Sequence, residues 1–181
     1  MNTSNMNGKC GCNKSGVGST AGTYLLMVNM SPSDASVSVQ IGSGSLTTYT
    51  EPVRVAAGVR VIVVAIKSGY VSCTETVTMD SDKTLDWTLP VAPSWTLTSQ
   101  TVVDTGDDIP FRITDEENVG WRVECPSWCS FENDTTSGTG AASMLLIVDG
   151  NDTGAERSGY VYLYVAGSSS VVKSCNITQK A

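Results

Sequence analysis

Three residue sets in this chain could do chemistry. The first is six cysteines, at positions 10, 12, 73, 125, 129 and 175. Thiolates alone can complete a tetrahedral zinc site, but Cys10-Gly11-Cys12 and the C-x3-C of Cys125 and Cys129 match no standard pair of zinc-binding turns. No metal is therefore expected, and the three C-terminal thiols read as small buried hydrophobes. The second set is acidic: Asp104, Asp107, Asp108, Asp115, Glu116 and Glu117, with Asp149-Gly150-Asn151-Asp152 further on. Clustered oxygens suit calcium, yet the spacing matches no EF-hand loop, so these carboxylates are expected in solvated loops of a strand-poor stretch. The third set is aromatic. Tyr160, Tyr162 and Tyr164 alternate with Val161, Leu163 and Val165, which puts the three rings on one face of a strand. Trp121 and Trp128 could stack on sugars through their apolar faces.

Other chemistry is excluded by what the chain lacks. It has 181 residues and no His, so the commonest general base and metal ligand is missing. No nucleophile–base–orienter set can be assembled, and no cofactor motif is present. With 11 Lys+Arg against 18 Asp+Glu the formal charge is −7, and without a basic run there is no footprint for nucleic acid. The polar first twenty residues hold no apolar stretch of signal-peptide length. The run Tyr24 to Val28 is too short to cross a membrane. The expectation is a chain kept in the cytoplasm, or one that leaves by a route needing no signal. The Asn-x-Ser/Thr triplets, beginning at Asn2, Asn13, Asn29, Asn133, Asn151 and Asn176, read as compositional.

These residues must be positioned by strands. Ser and Thr make up about a quarter of the chain and only 16% is charged, a balance that favours strands and turns over helices. Short β-rich runs recur at Tyr24–Met30, Ala35–Ile41, Val53–Val55, Val59–Ile66, Val71–Met79 and Thr84–Leu89, with Gly, Ser, Pro and Asp between them. Pro90-Val91-Ala92-Pro93 then stiffens a join. The fold expected is all-β: two tandem Ig-like β-sandwiches, at residues 23–90 and 94–181, joined by a linker at 91–93. An extended arm at residues 1–22 precedes them, with Cys10 and Cys12 as its candidate anchors.

The first half resembles the PEGA-type domain, a small bacterial and archaeal surface β-sandwich. The resemblance lies in the order of elements: a strand ending at Ser31-Pro32, then Val37 to Ile41, then Val53-Arg54-Val55 before Gly58, and a long strand closing on Lys67-Ser68-Gly69-Tyr70. The second half carries Trp121 to Phe131, Gly138-Thr139-Gly140, Asn151 before Arg157-Ser158-Gly159, and a closing Ile177-Thr178-Gln179. That succession resembles the BACON domain, an Ig-like sandwich of gut Bacteroidetes proteins and of phages infecting them. The resemblance implies an inward Trp121, a core role for Val161, Leu163 and Val165, and three outward tyrosines. It departs where Cys129 and Cys175 replace aliphatic core residues.

The whole chain looks like an auxiliary capsid or head-fibre protein of a crAss-like phage. The implied function is non-enzymatic: decorating or reinforcing a capsid surface in many copies, in contact with the major capsid protein or other virion subunits. Glycan is a further implied partner, and nucleic acid and membrane are not. The implied location is the virion, assembled in the host cytoplasm. The alternative is a carbohydrate-binding or spacer module of a gut Bacteroidetes surface protein, extracellular or at the cell surface. The candidate contact residues are Tyr160, Tyr162, Tyr164 and Trp128.

Overall fold

A computed structural model describes residues 22–181. It is all-β and divides into two compact units between Pro90 and Val91.

In the first unit, seven strands follow the β-branched runs: β1 Thr23–Ser31, β2 Ser36–Ile41, β3 Thr47–Thr48, β4 Val53–Ala56, β5 Arg60–Ile66, β6 Cys73–Thr78 and β7 Lys83–Thr88. They form two sheets, ordered β4-β1-β7 and β3-β2-β5-β6. The apolar run from Val61 to Ile66 alternates rather than burying throughout. Val61, Val63 and Ala65 are fully buried, while Ile66 on the other face is exposed. This two-residue period makes the run a strand between β2 and β6. Its inward residues meet Leu26 and Val28 of β1 and Leu85 and Trp87 of β7 in one core between the sheets.

The second unit has nine strands. They are β8 Ser94–Trp95, β9 Gln100–Val102, β10 Asp107–Thr114, β11 Trp121–Glu124, β12 Cys129–Phe131, β13 Ser137–Gly138, β14 Ala142–Val148, β15 Arg157–Val165 and β16 Val171–Gln179. A four-stranded sheet, β12-β14-β10-β8, faces a five-stranded one, β13-β11-β15-β16-β9. In both units the closing strand runs parallel to an opening one, β7 beside β1 and β16 beside β9, while most other pairs are antiparallel. Two facing sheets with that closure are Ig-like sandwiches.

One stretch departs from the sequence expectation. Residues 107–114, read as strand-poor and acidic, form β10, inside the four-stranded sheet between β14 and β8. Ile109, Phe111 and Ile113 point into the core at every second position. Pro110, which cannot donate to a ladder, lies where β8 does not reach, since β8 pairs only with Ile113 and Thr114.

Asp115 also departs: it is not a solvated loop carboxylate but is 4% exposed. Its Oδ1 accepts the N–H of Val119 at 2.8 Å. Its Oδ2 accepts those of Gly120 at 3.0 Å and Gly140 at 2.9 Å. A buried carboxylate persists when its lone pairs are filled this way. The Gly140 carbonyl in turn accepts the Trp121 indole N–H at 2.9 Å. Trp121 is buried as expected, and Gly138 makes room for it. A Cβ on Gly138 would lie 2.6 Å from Trp121 Cζ2.

The opposite end of the unit is tied by three other motif residues. Gln179 is fully buried. Its Nε2 donates to the carbonyls of Val103, Asp104 and Asp149, and its Oε1 accepts Arg157 Nε at 2.8 Å. Arg157 Nη2 donates to Asp149 and Gly150 carbonyls. Asn151 Nδ2 donates to those of Ala155 and Lys180. These polar side chains thus satisfy loop backbone.

Two substitutions test this account. Asp115→Ala strands three backbone donors and should cost about 3 kcal/mol. It would be read as a lower urea midpoint for the C-terminal unit with an unchanged slope. Gly138→Ala should cost about 1–3 kcal/mol through overpacking against Trp121, checked by the same measurement.

Candidate functional site

The outer face of the five-stranded sheet is set by β15. Val161 and Leu163 are fully buried against the core, so the alternate residues Tyr160, Tyr162 and Tyr164 stand on the other face. Their rings form a ladder. The centroids of Tyr160 and Tyr162 are 6.0 Å apart at an interplanar angle of 25°. Those of Tyr162 and Tyr164 are 6.1 Å apart at 45°. The first pair is near-parallel and the second is tilted, so the three rings do not form one flat platform.

The three tyrosines share one face, but access along the ladder is graded. Tyr160 is 52% exposed, Tyr162 is half-buried and Tyr164 is only 9% exposed. The cause is the register with β11, which places Arg122 opposite Tyr164 and Glu124 opposite Tyr162. The Arg122 guanidinium lies 4.0 Å from the centre of the Tyr164 ring, within cation–π range. The Tyr164 hydroxyl donates to Glu124 Oε2 at 2.9 Å, while Glu124 Oε1 pairs with Arg122. The hydrogen bond from Tyr164, and then that from Arg122, hold the Glu124 carboxyl below its ordinary value. The same bond to Glu124 pushes the Tyr164 phenol up, with desolvation as the second cause.

On the other side of the ladder, β16 sets Asn176 opposite Tyr160 and Ser174 opposite Tyr162. Asn176 Oδ1 accepts the hydroxyls of Ser158 at 3.0 Å and Thr178 at 2.9 Å. The exposed end of the ridge is thus one aromatic ring beside a small polar network.

Trp128 does not join this surface. It packs against the core over Gly159, where a Cβ would lie 2.4 Å from Pro126 Cγ and 3.2 Å from Trp128 Cζ2. The Arg157 guanidinium sits 4.7 Å from its ring centre. Arg157 and Gly159 share the inward side of β15 with Val161, so Trp128 lies across the strand from the tyrosines. Its stacking partner is supplied by the chain itself. The remaining candidates, Cys10 and Cys12, lie outside the described residues.

A cleft of about 420 Å³ opens between β11 and β12, lined by Arg122, Glu124, Cys125, Cys129, Phe131 and Asp134 among others. Cys125, Cys129 and Cys175 carry free thiols. Burial pushes the Cys129 thiol up to about 12 and that of Cys175 to about 11, and raises that of the half-buried Cys125. Cys73, at the start of β6, is disulfide-bonded. Among the described residues, no three His, Cys, Asp or Glu side chains come together to hold a metal, and no helix is long and apolar enough to cross a membrane.

The alternation of β15 was legible in the sequence. The cover that Arg122 and Glu124 place over Tyr164 was not, because a cross-strand register leaves no mark on either strand alone.

No family profile matches the sequence, and no curated protein matches it. Among solved structures, a Bacteroides ovatus GH5 xyloglucanase in complex with a XXXG heptasaccharide is similar over 49% of this chain, at 21% identity and a TM-score of 0.42. The chain spans 19% of that enzyme. A DUF3823 family protein from Bacteroides ovatus is similar over 87% of this chain and 98% of its own length, at 12% identity and a TM-score of 0.30. A third similarity is to Dpr2 Ig1-Ig2 in complex with DIP-Theta Ig1-Ig3, over 87% of this chain and 64% of that one, at 10% identity and a TM-score of 0.30.

The Tyr164–Glu124–Arg122 contact has a pH signature. A carboxyl held below its unfolded value contributes stability that is present above that value and lost as pH falls through the folded one. Glu124 should therefore stay ionised below its ordinary 4.5. In Tyr164→Phe its titration should move back up towards 4.5, read by carboxyl-carbon NMR.

Proposed function

We propose that this chain is a non-enzymatic structural protein of a phage particle, in which the C-terminal sandwich offers the Tyr160–Tyr162 end of its ridge to a neighbouring protein subunit. The ring stacking carries the reading. The Tyr160 and Tyr162 rings are near-parallel at 25°, the Tyr162 and Tyr164 rings are tilted at 45°, and Arg122 lies over the Tyr164 ring. The ridge therefore offers no continuous flat platform but a mixture of ring area and hydroxyls, a surface suited to the mixed apolar and hydrogen-bonding contacts of a protein interface. A sugar platform needs free ring faces in a row. The polar side chains best placed for chemistry support the non-enzymatic part of the reading. Asp115, Asn151, Arg157 and Gln179 are all committed to hydrogen bonds within the unit. The resemblance to sandwich modules carried by gut phages supports the virion part.

A second reading, attachment to glycan, is favoured by one observation. The ring of Tyr160, half-exposed at the end of the stack, has Asn176 opposite it and Ser158 in the same polar network.

The primary test is a mass-spectrometric inventory of purified particles, in which the chain should appear in many copies. Its absence overturns the virion assignment. Tyr160→Ala should leave folding intact and weaken attachment to the particle by about tenfold or more, the scale of an interface anchor. If the variant attaches normally but loses binding to a glycan panel that the unaltered chain recognises, the second reading replaces the first.

A further inference from the structure

We infer that Cys125 and Cys129 form an oxidisable dithiol that closes into an intramolecular disulfide and clamps the two sheets of the C-terminal sandwich together. Four observations support it. Cys125 follows β11 in the five-stranded sheet and Cys129 opens β12 in the four-stranded one, so the segment between them is the crossover from sheet to sheet. That segment is folded tightly, with the Cys129 N–H donating to the Pro126 carbonyl at 2.9 Å. The Cys125 thiol already reaches across the turn, donating to the Cys129 carbonyl at 3.2 Å. Both side chains line the same open cleft, which gives a small co-reactant access to Cys125. The Cys125 sulfur lies within 3.2 Å of the Cys129 backbone, so closure calls on the Cys129 side chain to turn towards it.

The co-reactant is a low-molecular-weight disulfide such as oxidised glutathione. Cys125, the more accessible of the two, loses its proton to solvent, and its thiolate attacks one sulfur of the glutathione disulfide. The old S–S bond breaks and one glutathione leaves as thiolate. The thiolate of Cys129 then attacks the Cys125 sulfur of the mixed disulfide, forming the intrachain bond and expelling the second glutathione. In sum, two protein thiols and one glutathione disulfide give one protein disulfide and two glutathione thiols. Burial keeps both protein thiols largely protonated at neutral pH, so closure is slow and quickens as pH rises. Cys175 is also buried and free but lies away from the cleft lining, so it serves as the internal control.

The test uses the full chain, folded, with the Cys73 disulfide intact and Cys125, Cys129 and Cys175 as thiols, incubated with oxidised glutathione. It is then unfolded in acid, alkylated and mapped by mass spectrometry. No Lys or Arg separates Cys125 from Cys129, so both fall in one tryptic peptide. The expected result is a peptide lighter by two hydrogens with neither cysteine alkylated, while Cys175 is alkylated in full. Of the three free thiols among the described residues, one should remain. In Cys129→Ser the mixed glutathione adduct at Cys125 should persist, because nothing expels it. Full alkylation of both residues in the unaltered chain overturns the inference. So does a lasting glutathione adduct on Cys125 in the unaltered chain, or a bond from either residue to Cys175. The map of the unaltered chain decides even if the serine variant fails to fold.

Discussion

Burial of Val161 and Leu163 between the sheets is the constraint on which the outer face of the C-terminal unit depends. Each is fully removed from solvent, an arrangement that favours the fold by roughly 1.5–3 kcal/mol per side chain. A strand has only two faces. Once those two residues are committed inward, the tyrosines between and beside them have no alternative to the outward side. A slip of one residue in register would bury the phenols and expose the aliphatics. The hydrophobic term therefore both holds β15 in place and creates the ridge.

The polar interior works in the other direction, limiting what the unit can do chemically. Asp115, Gln179 and Asn151 are buried polar side chains, and each is spent on backbone groups in loops that could not otherwise satisfy them. Such groups are costly to bury alone and stabilising when saturated. Their saturation explains why the motif-bearing residues of this half sit at the ends of the sandwich. They tie Gly120, Gly140, the loop after β14 and the C-terminal strand to the framework, and they leave the sheet faces to carry contact residues.

The ridge and the cleft are joined through β11. Arg122 and Glu124 cover Tyr164 and line the cleft at the same time, and Cys125 follows directly. The half-exposed Tyr160 lies farthest from that cover. The covered end of the ridge and the thiol-bearing cleft thus share a strand of four residues.

The sequence by itself determined the all-β class, six of the seven strands in the first unit and the common face of the three tyrosines. Each follows from a two-residue period, and that period is a local property of the chain. It also marked Trp121 as inward through resemblance to a known pattern. It misjudged residues 107–115, where flanking carboxylates and Pro110 masked the Ile109, Phe111, Ile113 alternation and where Asp115 reads like any loop acid. Only the tertiary structure decided that Asp115 is buried, that Trp128 packs beneath Arg157, and that Tyr164 lies under Arg122 and Glu124. Those outcomes depend on which strand lies beside which and in what register. Register is a relation between distant segments, fixed by the core they share, and no single stretch of residues carries it.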